Sequence, residues 1–187
     1  MTFGPEVPGW TPPPRPPFEP IEGRWAVVEP LSAAVHGPDL WSAVRVDDRV
    51  WDWLPYGPFP DEATYTDWIA GMEARPDPMF FAIRDRQTGR AGGVASWLRI
   101  APEAGSIEVG HICLSPALQR TRAATEAMAL MMGRAVALGY RRYEWKCNAL
   151  NLPSRRAAER LGLSYEGVFR QAGVVKGRNR DTAWFAA

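Results

Sequence analysis

The stretch from Leu114 to Ala124 constrains this chain most, because an apolar run ends there and a helix is predicted to begin. The run stops at Ser115-Pro116, and helix-forming residues follow from Gln119 onward. The first amides of a helix have no acceptor within it, and the helix dipole favours negative charge beside them. Arg120 and Arg122 add positive charge. The stretch therefore predicts an anion-binding site where a strand leads into a helix.

Two short motifs in the chain are more specific than this general pattern. Residues 119–124, Gln-Arg-Thr-Arg-Ala-Ala, match Q/R-x-x-G-x-G/A, with Arg122 in the place of the first glycine. Residues 151–167 match N-x-x-S-x-x-x-x-x-x-x-G-F-x-x-E-G, with Leu163 in the place of the phenylalanine. Together the motifs resemble the GCN5-related N-acetyltransferase (GNAT) superfamily, and within it the ribosomal-protein alanine and serine acetyltransferases. The resemblance covers roughly residues 21–187.

The composition argues against several other classes of function. The formal net charge is +1, with acidic residues mixed among the basic ones, so no long-range field favours nucleic acid or an anionic membrane. Cys113 and Cys147 lie in apolar runs, which is typical of buried thiols in a reduced compartment. No spacing suits a metal, and no apolar run of about 18 residues would span a membrane. We therefore expect a cytoplasmic protein without metal, nucleic acid or membrane as partner.

Residues 1–20 differ in composition from the rest of the chain. They hold eight of the 18 prolines, which favours polyproline II over a packed element. We interpret them as an arm that precedes one domain at residues 21–187. The arm either binds an aromatic groove of a partner or, as we favour, lies across its own domain or a dimer mate through Trp10 and Phe18. The last arrangement would make the protein a homodimer.

Periodicity predicts a mixed sheet with helices. Strands are indicated near residues 25–31, 80–84, 93–100, 106–114, 142–147, 165–171 and 181–185. Helices are indicated at residues 32–53 with a break at 36–38, at 61–74, from 119 to Gly139, and from Asn151 to Gly162. The strand–helix–strand unit from Glu108 to Cys147 makes one parallel pair by the crossover rule, and short turns make antiparallel hairpins.

The resemblance implies a fold and a cofactor. The fold is α/β (α+β), one mixed sheet of six to seven strands with helices on both faces. The cofactor is acetyl-CoA, lying between the Glu108 strand and the Arg142 strand. The implied coenzyme contacts are Ile112, Cys113, Leu114, Gln119, Arg120, Thr121, Arg122, Ala123, Ala124, Asn151 and Arg155. In this superfamily the first two helices form the acceptor side, so Trp53 and Tyr56 before the second helix would contact the substrate; ordinary packing is the alternative for both.

Acetyl transfer to an amine needs a base, because an α-amine with a pKa of about 7.7 is largely protonated at neutral pH. Histone-type members of the superfamily have a glutamate base at the position of Glu108, eleven residues before Gln119. Strict alternation would put Glu108 on one face with Ile112 and Leu114, an apolar setting that suits a base. A salt-bridged or solvent-facing carboxylate is the alternative. His111 is the rival base, and strict alternation would put it on the other face of the strand from Glu108.

The leaving thiolate needs a proton, and no tyrosine lies between Leu150 and Gly162 to supply it. The resemblance gives that role to Ser154 and places Asn151 against the pantetheine arm; a helix cap with first-turn support is the alternative for both. Cys113 is not expected to carry the acetyl group, because no histidine or cation at a suitable spacing activates it and apolar flanks raise the pKa of a thiol.

These observations predict an acetyl-CoA-dependent N-acetyltransferase that acts by direct transfer to a primary amine, either a protein N-terminus or a small molecule. The alternative is a catalytically silent acyl-CoA-binding or sensor domain. A salt-bridged Glu108 together with a closed acceptor cleft would favour the alternative.

Overall fold

A computed structural model describes residues 3–73 and 75–187. The strands are Ile21–Glu22 (β1), Ala26–Pro30 (β2), Met79–Asp85 (β3), Ala91–Ala101 (β4), Ser106–Leu114 (β5), Arg142–Asn148 (β6), Ser164–Val175 (β7) and Arg178–Ala186 (β8). The helices are Ala33–Val44 (α1), Glu62–Met72 (α2), Arg122–Ala137 (α3) and Leu152–Arg160 (α4), with 3₁₀ turns at Asp48–Trp51 and Pro102–Ala104.

All eight strands form one sheet in the order β1-β2-β3-β4-β5-β6-β8-β7. Within the described residues, β5 and β6 are the only parallel pair, and α3 is the crossover between them, as the crossover rule requires. The predicted mixed sheet is confirmed with one strand more than expected. The extra strand is β1, whose two residues pair with β2 and are too few to leave a periodic signal.

Helices cover both faces of the sheet, as predicted. On one face α1, α2 and the turn at Asp48–Trp51 bury Leu40, Trp51, Tyr65 and Ile69 against β3 and β4. On the other face α3 packs through Ala127, Met128, Met131 and Ala135, and α4 through Ala158. Met128 and Met131 are therefore core residues.

The predicted break in the first helix is wrong. Helix α1 continues through Pro38, which removes only one backbone donor, while Leu40 and Val44 beyond it are fully buried. His36, the first residue of the predicted break, is buried and accepts the amide of Ser32 through Nδ1 at 3.0 Å. Helix α2 begins after Asp61, whose carboxylate accepts the amide of Thr64 at 2.8 Å. Its predicted end near Ala74 lies outside the described residues.

The arm, described from Phe3 onward, contacts its own chain. The Tyr140 hydroxyl donates to the carbonyl of Pro14 at 3.2 Å, and the Phe18 ring packs edge-on against Phe81 at 5.3 Å between centroids. Pro13 and Pro16 are buried in the same contact region. Within residues 3–73 and 75–187, no helix is long and apolar enough to cross a membrane, and no group of His, Cys, Asp and Glu side chains is arranged to hold a metal ion.

Candidate active site

A gap opens between the two parallel strands. Ser106–Val109 of β5 pairs with Arg142–Trp145 of β6, but β5 continues to Leu114 and β6 to Asn148 without further pairing to each other. Backbone groups on the facing edges are therefore available to a ligand. The gap lies at the carboxyl ends of parallel strands, where sheets of this class bind ligands. The predicted contacts Ile112, Cys113 and Leu114 border the gap on β5.

A β-bulge in β5 changes which side chains share a face. Val94 pairs with Cys113 and Ser96 pairs with Gly110, so two steps on β4 oppose three on β5. His111, inside the bulge, has φ 51°. Ile107 and Val109 face the α3 core before the bulge, and Ile112 and Leu114 face it afterwards, whereas Cys113 faces the α1–α2 core.

The bulge overturns the predicted alternation. Glu108 lies between Ile107 and Val109, so its side chain is on the α1–α2 face and not with Ile112 and Leu114. His111 contacts the rings of Tyr56 and Phe80, which belong to that same α1–α2 face. The two candidate bases therefore lie on one face. Gly110 within an otherwise regular strand is a signal of a bulge that strict alternation ignores.

The α3 helix starts three residues later than predicted, after a compact turn. The amides of Leu118 and Gln119 donate to the Ser115 carbonyl at 3.0 Å, and the Gln119 amide side chain donates to the Leu114 carbonyl at 2.9 Å. Thr121 caps the helix by accepting the amide of Ala124 at 3.1 Å. Gln119 and Thr121 thus build the turn itself, and Ala124 already has an acceptor for its amide.

The amides of Arg120, Arg122 and Ala123, at the start of the helix, have no hydrogen-bond acceptor among residues 3–73 and 75–187. Arg120 adopts the left-handed conformation with φ 62°, unusual for a residue with a side chain. Arg122 is exposed and its guanidinium stacks 5.0 Å from the centroid of the Trp25 ring. Free amides, a helix dipole and two cations are the features of an anion site.

Helix α4 provides a second, smaller set of polar groups at the gap. Asn151 caps it by accepting the amide of Ser154 at 3.1 Å, so the predicted cap is confirmed. Trp145 Nε1 donates to Ser154 Oγ at 2.9 Å, which leaves the hydroxyl proton of Ser154 available for donation. Arg155 donates to the Ala149 carbonyl at 3.2 Å and lies over the Tyr165 ring, so its guanidinium is held by its own chain.

Cys147 lies beside this serine. Burial raises the pKa of the Cys147 thiol, and the Ser154 hydroxyl, Arg155 and Arg180 offset part of that rise. The thiol is 6% exposed and faces the α3 core.

Glu108 is buried and held by two cations. Its side chain is 4% exposed, and Oε2 lies 2.7 Å from Arg99 and 2.7 Å from Lys146 Nζ. Lys146 also pairs with Glu144 at 2.7 Å and lies 3.8 Å from the centroid of the Trp184 ring. The predicted apolar setting of Glu108 is therefore wrong, because cations from β4 and β6 enter the same face.

The second oxygen of Glu108 is left for other partners. Both ion pairs use Oε2, and no described residue donates to Oε1. Oε1 would lie 3.6 Å from a Cβ placed on Gly110, so a larger residue there would crowd it.

His111 is held as a neutral imidazole. Burial, with help from the positive charges of Arg99 and Arg180, lowers its pKa to about 4. Its Nδ1 lies 3.3 Å from the Tyr56 hydroxyl, and the two rings stack at 5.7 Å. Tyr56 also packs on Trp68 at 4.5 Å between centroids, so this predicted substrate contact is a fixed wall next to His111.

Cys113 cannot serve as a nucleophile near neutral pH. It is 2% exposed within the α1–α2 core, and burial raises the pKa of its thiol to about 12.

An open cleft of about 490 Å³ lies beside the gap on the α1–α2 face. Its walls are the loop after the 3₁₀ turn, the segment joining β6 to α4, and the β7–β8 hairpin. Trp53, 40% exposed, lines the cleft, whereas Trp51 is a core residue. Contact of Trp53 with the substrate stays a prediction. Sequence reasoning missed Arg99, Lys146 and Arg180, because each comes from a different strand and nothing in the sequence brings them together.

Comparison with known proteins agrees with this geometry. Residues 27–164 match the sequence model of the acetyltransferase (GNAT) domain. This chain belongs to the GNAT acetyltransferase family. Members of the family transfer an acetyl group from acetyl-CoA to amines, so the chain is an acetyltransferase by family. No curated protein sequence matches it.

Solved structures show the same relationship. A GCN5-related N-acetyltransferase from Brucella melitensis is 45% identical with a TM-score of 0.94, covering 97% of this chain and 83% of that one. A probable acetyltransferase of the GNAT family from Chromobacterium violaceum is 40% identical with a TM-score of 0.92, covering 100% and 94%. RimL, an α-N-protein acetyltransferase of a ribosomal protein, is 20% identical with a TM-score of 0.77 over 90% and 93%, which shows a shared fold.

The GNAT coenzyme fits the residues present. Three free amides at a capped helix N-terminus suit a pyrophosphate, and the unpaired edge of β5 suits an extended, amide-containing arm.

Proposed function

We propose that this chain transfers the acetyl group of acetyl-CoA directly to a primary amine, either a protein N-terminus or a small molecule. The observation that carries the proposal is the gap between β5 and β6, with free amides of α3 on one side and the free Oε1 of Glu108 on the other. An acetyl donor and an amine would meet there from opposite faces of the sheet. Location in the cytoplasm and a homodimer stay predictions from the sequence.

The coenzyme would be held by the amides of Arg120, Arg122 and Ala123 and by the backbone of residues 112–114. When bound, it supplies an acyl carbon that an amine can attack and a thiolate that leaves. This arrangement uses backbone groups for affinity and leaves side chains of the opposite face for the acceptor.

Glu108 would take the proton of the acceptor ammonium through Oε1, directly or through one water. Arg99 and Lys146 hold its carboxylate in place through Oε2. His111 is the second candidate, since it is neutral at pH 7 and contacts the same face. The Ser154 hydroxyl, already oriented by Trp145, would donate to the departing sulfur.

The experiment is release of free thiol from acetyl-CoA with a panel of amines, followed by mass spectrometry of the products. We expect amine-dependent release and no acetylated protein after incubation with acetyl-CoA alone. Acetylation of Cys113 or Cys147 would contradict direct transfer.

The silent acyl-CoA-binding domain stays the second candidate, because one of the two features that would favour it is present. Glu108 is salt-bridged, yet the cleft lined by Trp53 and the β7–β8 hairpin is open. Tight coenzyme binding without thiol release for any amine would favour the silent domain.

A further inference from the structure

The cleft on the α1–α2 face carries an excess of positive charge. Lys176, Arg178 and Arg180 line it from the β7–β8 hairpin, and Asp52 is the one carboxylate that the described lining contributes. None of the three cations lies within 4.0 Å of a carboxylate among residues 3–73 and 75–187. Lys176 instead donates to the Trp51 carbonyl at 2.8 Å, which ties the hairpin to the opposite wall.

Arg180 is the unusual member of this group. Its Nε is buried and has no hydrogen-bond partner among the described residues. Lys176 and Arg178 are exposed, where an unpaired charge costs little, but a buried unpaired guanidinium nitrogen is costly. A carboxylate is the ligand that matches the fork of a guanidinium with two parallel hydrogen bonds.

Arg180 also lies close to the gap. Ala183 and Phe185 of β8 face the α3 core, so alternation puts Arg180 on the opposite face with Trp184 and Lys146. Asn148, the last residue of β6, pairs with Thr182, so Arg180 lies just beyond the end of β6. Its positive charge helps to lower the pKa of His111 on the other side of the gap.

We propose that the cleft selects an acceptor amine that also carries a carboxylate, with the carboxylate on Arg180 and the amine at Oε1 of Glu108. The proposal rests on the proposed acetyltransferase function and names its substrate class. A free amino acid and a peptide N-terminus followed by an acidic side chain both have this chemistry. A second ammonium on the acceptor would instead meet Arg178 and Arg180 and be repelled.

The test measures thiol release from acetyl-CoA with acceptors matched in size. Leucine is compared with leucinamide, and an Ala-Asp-Ala-Ala amide with its Ala-Asn-Ala-Ala counterpart, with 1,4-diaminobutane as a cationic acceptor. In at least one pair, we expect kcat/KM for the acceptor with the carboxylate to be roughly tenfold or more above kcat/KM for its neutral counterpart. That factor is the range of a hydrogen-bonded charge pair. The pair that shows the preference identifies the source, free amino acid or acidic N-terminus.

Arg180→Gln should abolish that preference by lowering kcat/KM for the carboxylate acceptors far more than for the neutral ones. Arg45→Gln removes the same charge from an exposed position outside the cleft and should keep the preference. Equal rates for acid and amide in the wild type, a preference that survives Arg180→Gln, or a best rate with the diamine would each overturn the proposal.

Absence of acetyl transfer can be told apart from absence of carboxylate selectivity. If no amine releases thiol, direct transfer is wrong, and the charge preference is then measured by calorimetric titration of leucine and leucinamide into the protein with coenzyme A. Tighter binding of leucine that is lost in Arg180→Gln supports the cleft as a carboxylate site; equal binding overturns it.

Discussion

The two sides of the gap between β5 and β6 are built in different ways. On the α3 side the groups available to a ligand are backbone amides, fixed by a turn and a helix cap that lie within ten residues of sequence. On the α1–α2 side they are long side chains from β4, β5, β6 and β8, held by ion pairs and stacked rings. A backbone site tolerates substitution, whereas a side-chain site depends on each partner. Mutations should therefore affect the two sides unequally.

The largest effect is expected at Glu108. Glu108→Gln keeps the size of the side chain but removes the proton acceptor, so turnover at pH 7 should fall by roughly a hundredfold to ten-thousandfold. The loss should be smaller at pH 9.5, where much of the amine is already deprotonated, and KM for acetyl-CoA should barely change. Steady-state rates at both pH values measure this.

Glu144→Gln is the matched control, because Glu144 also pairs with Lys146 at 2.7 Å but has no free oxygen at the gap in the proposed mechanism. It should retain most activity. An equal loss for both variants, or the same loss at every pH, would make Glu108 a structural member of the ion-pair network and give the role of base to His111 or water.

The next effect concerns stability on the acceptor side. Burial lowers the pKa of His111 to about 4, so between pH 6.5 and 4 the unfolded imidazole binds a proton that the folded one does not. The free energy of unfolding should therefore fall as the pH falls through this window, by up to about 3 kcal/mol from this residue. Urea unfolding at pH 7 and pH 4.5 measures the change.

His111→Gln removes the titrating group and should reduce that pH dependence relative to the wild type. The other titrating groups are the same in both proteins, so their contributions cancel when the two pH dependences of the unfolding free energy are subtracted. Parallel curves for the two proteins would mean that His111 titrates normally and is accessible to solvent.

The difference between the two sides also explains what the sequence could predict. The cap at Asn151 and the strand–helix turn depend on neighbours in sequence, so local rules located them. The partners of Glu108 come from β4 and β6, nine and 38 residues away, and become neighbours only through strand register. The bulge at His111 reversed the expected faces, because one extra residue shifts the alternation of every residue after it.

A smaller effect is expected at Ser154, on the coenzyme side. Ser154→Ala should lower kcat by about tenfold, the low end for loss of a general acid, because a thiolate leaves partly unassisted. CoA affinity should stay within a few fold, since the amides of the first turn of α4 survive. The variant also leaves Trp145 Nε1 without its acceptor, so stability should fall by about 1 kcal/mol.

Trp145→Phe separates these two consequences. It removes the donor to Ser154 Oγ but keeps the hydroxyl, so kcat should change less than in Ser154→Ala. An unchanged kcat with weaker coenzyme binding in Ser154→Ala would make the serine a binding contact.

The smallest effect is expected where the backbone provides the site. Arg122→Ala removes an exposed cation and should raise KM for acetyl-CoA by only about two- to fivefold, the contribution of a charge near a helix N-terminus. Arg122→Pro removes the same cation and also the amide, at the first helical position, where proline is tolerated and Thr121 before it is already extended. Proline should therefore raise KM several-fold beyond alanine, with kcat unchanged in both. Thermal unfolding of the two variants controls for damage to the helix start. If alanine and proline give the same KM, the amide of Arg122 does not bind the coenzyme, and the α3 side depends on side chains in the same way as the acceptor side.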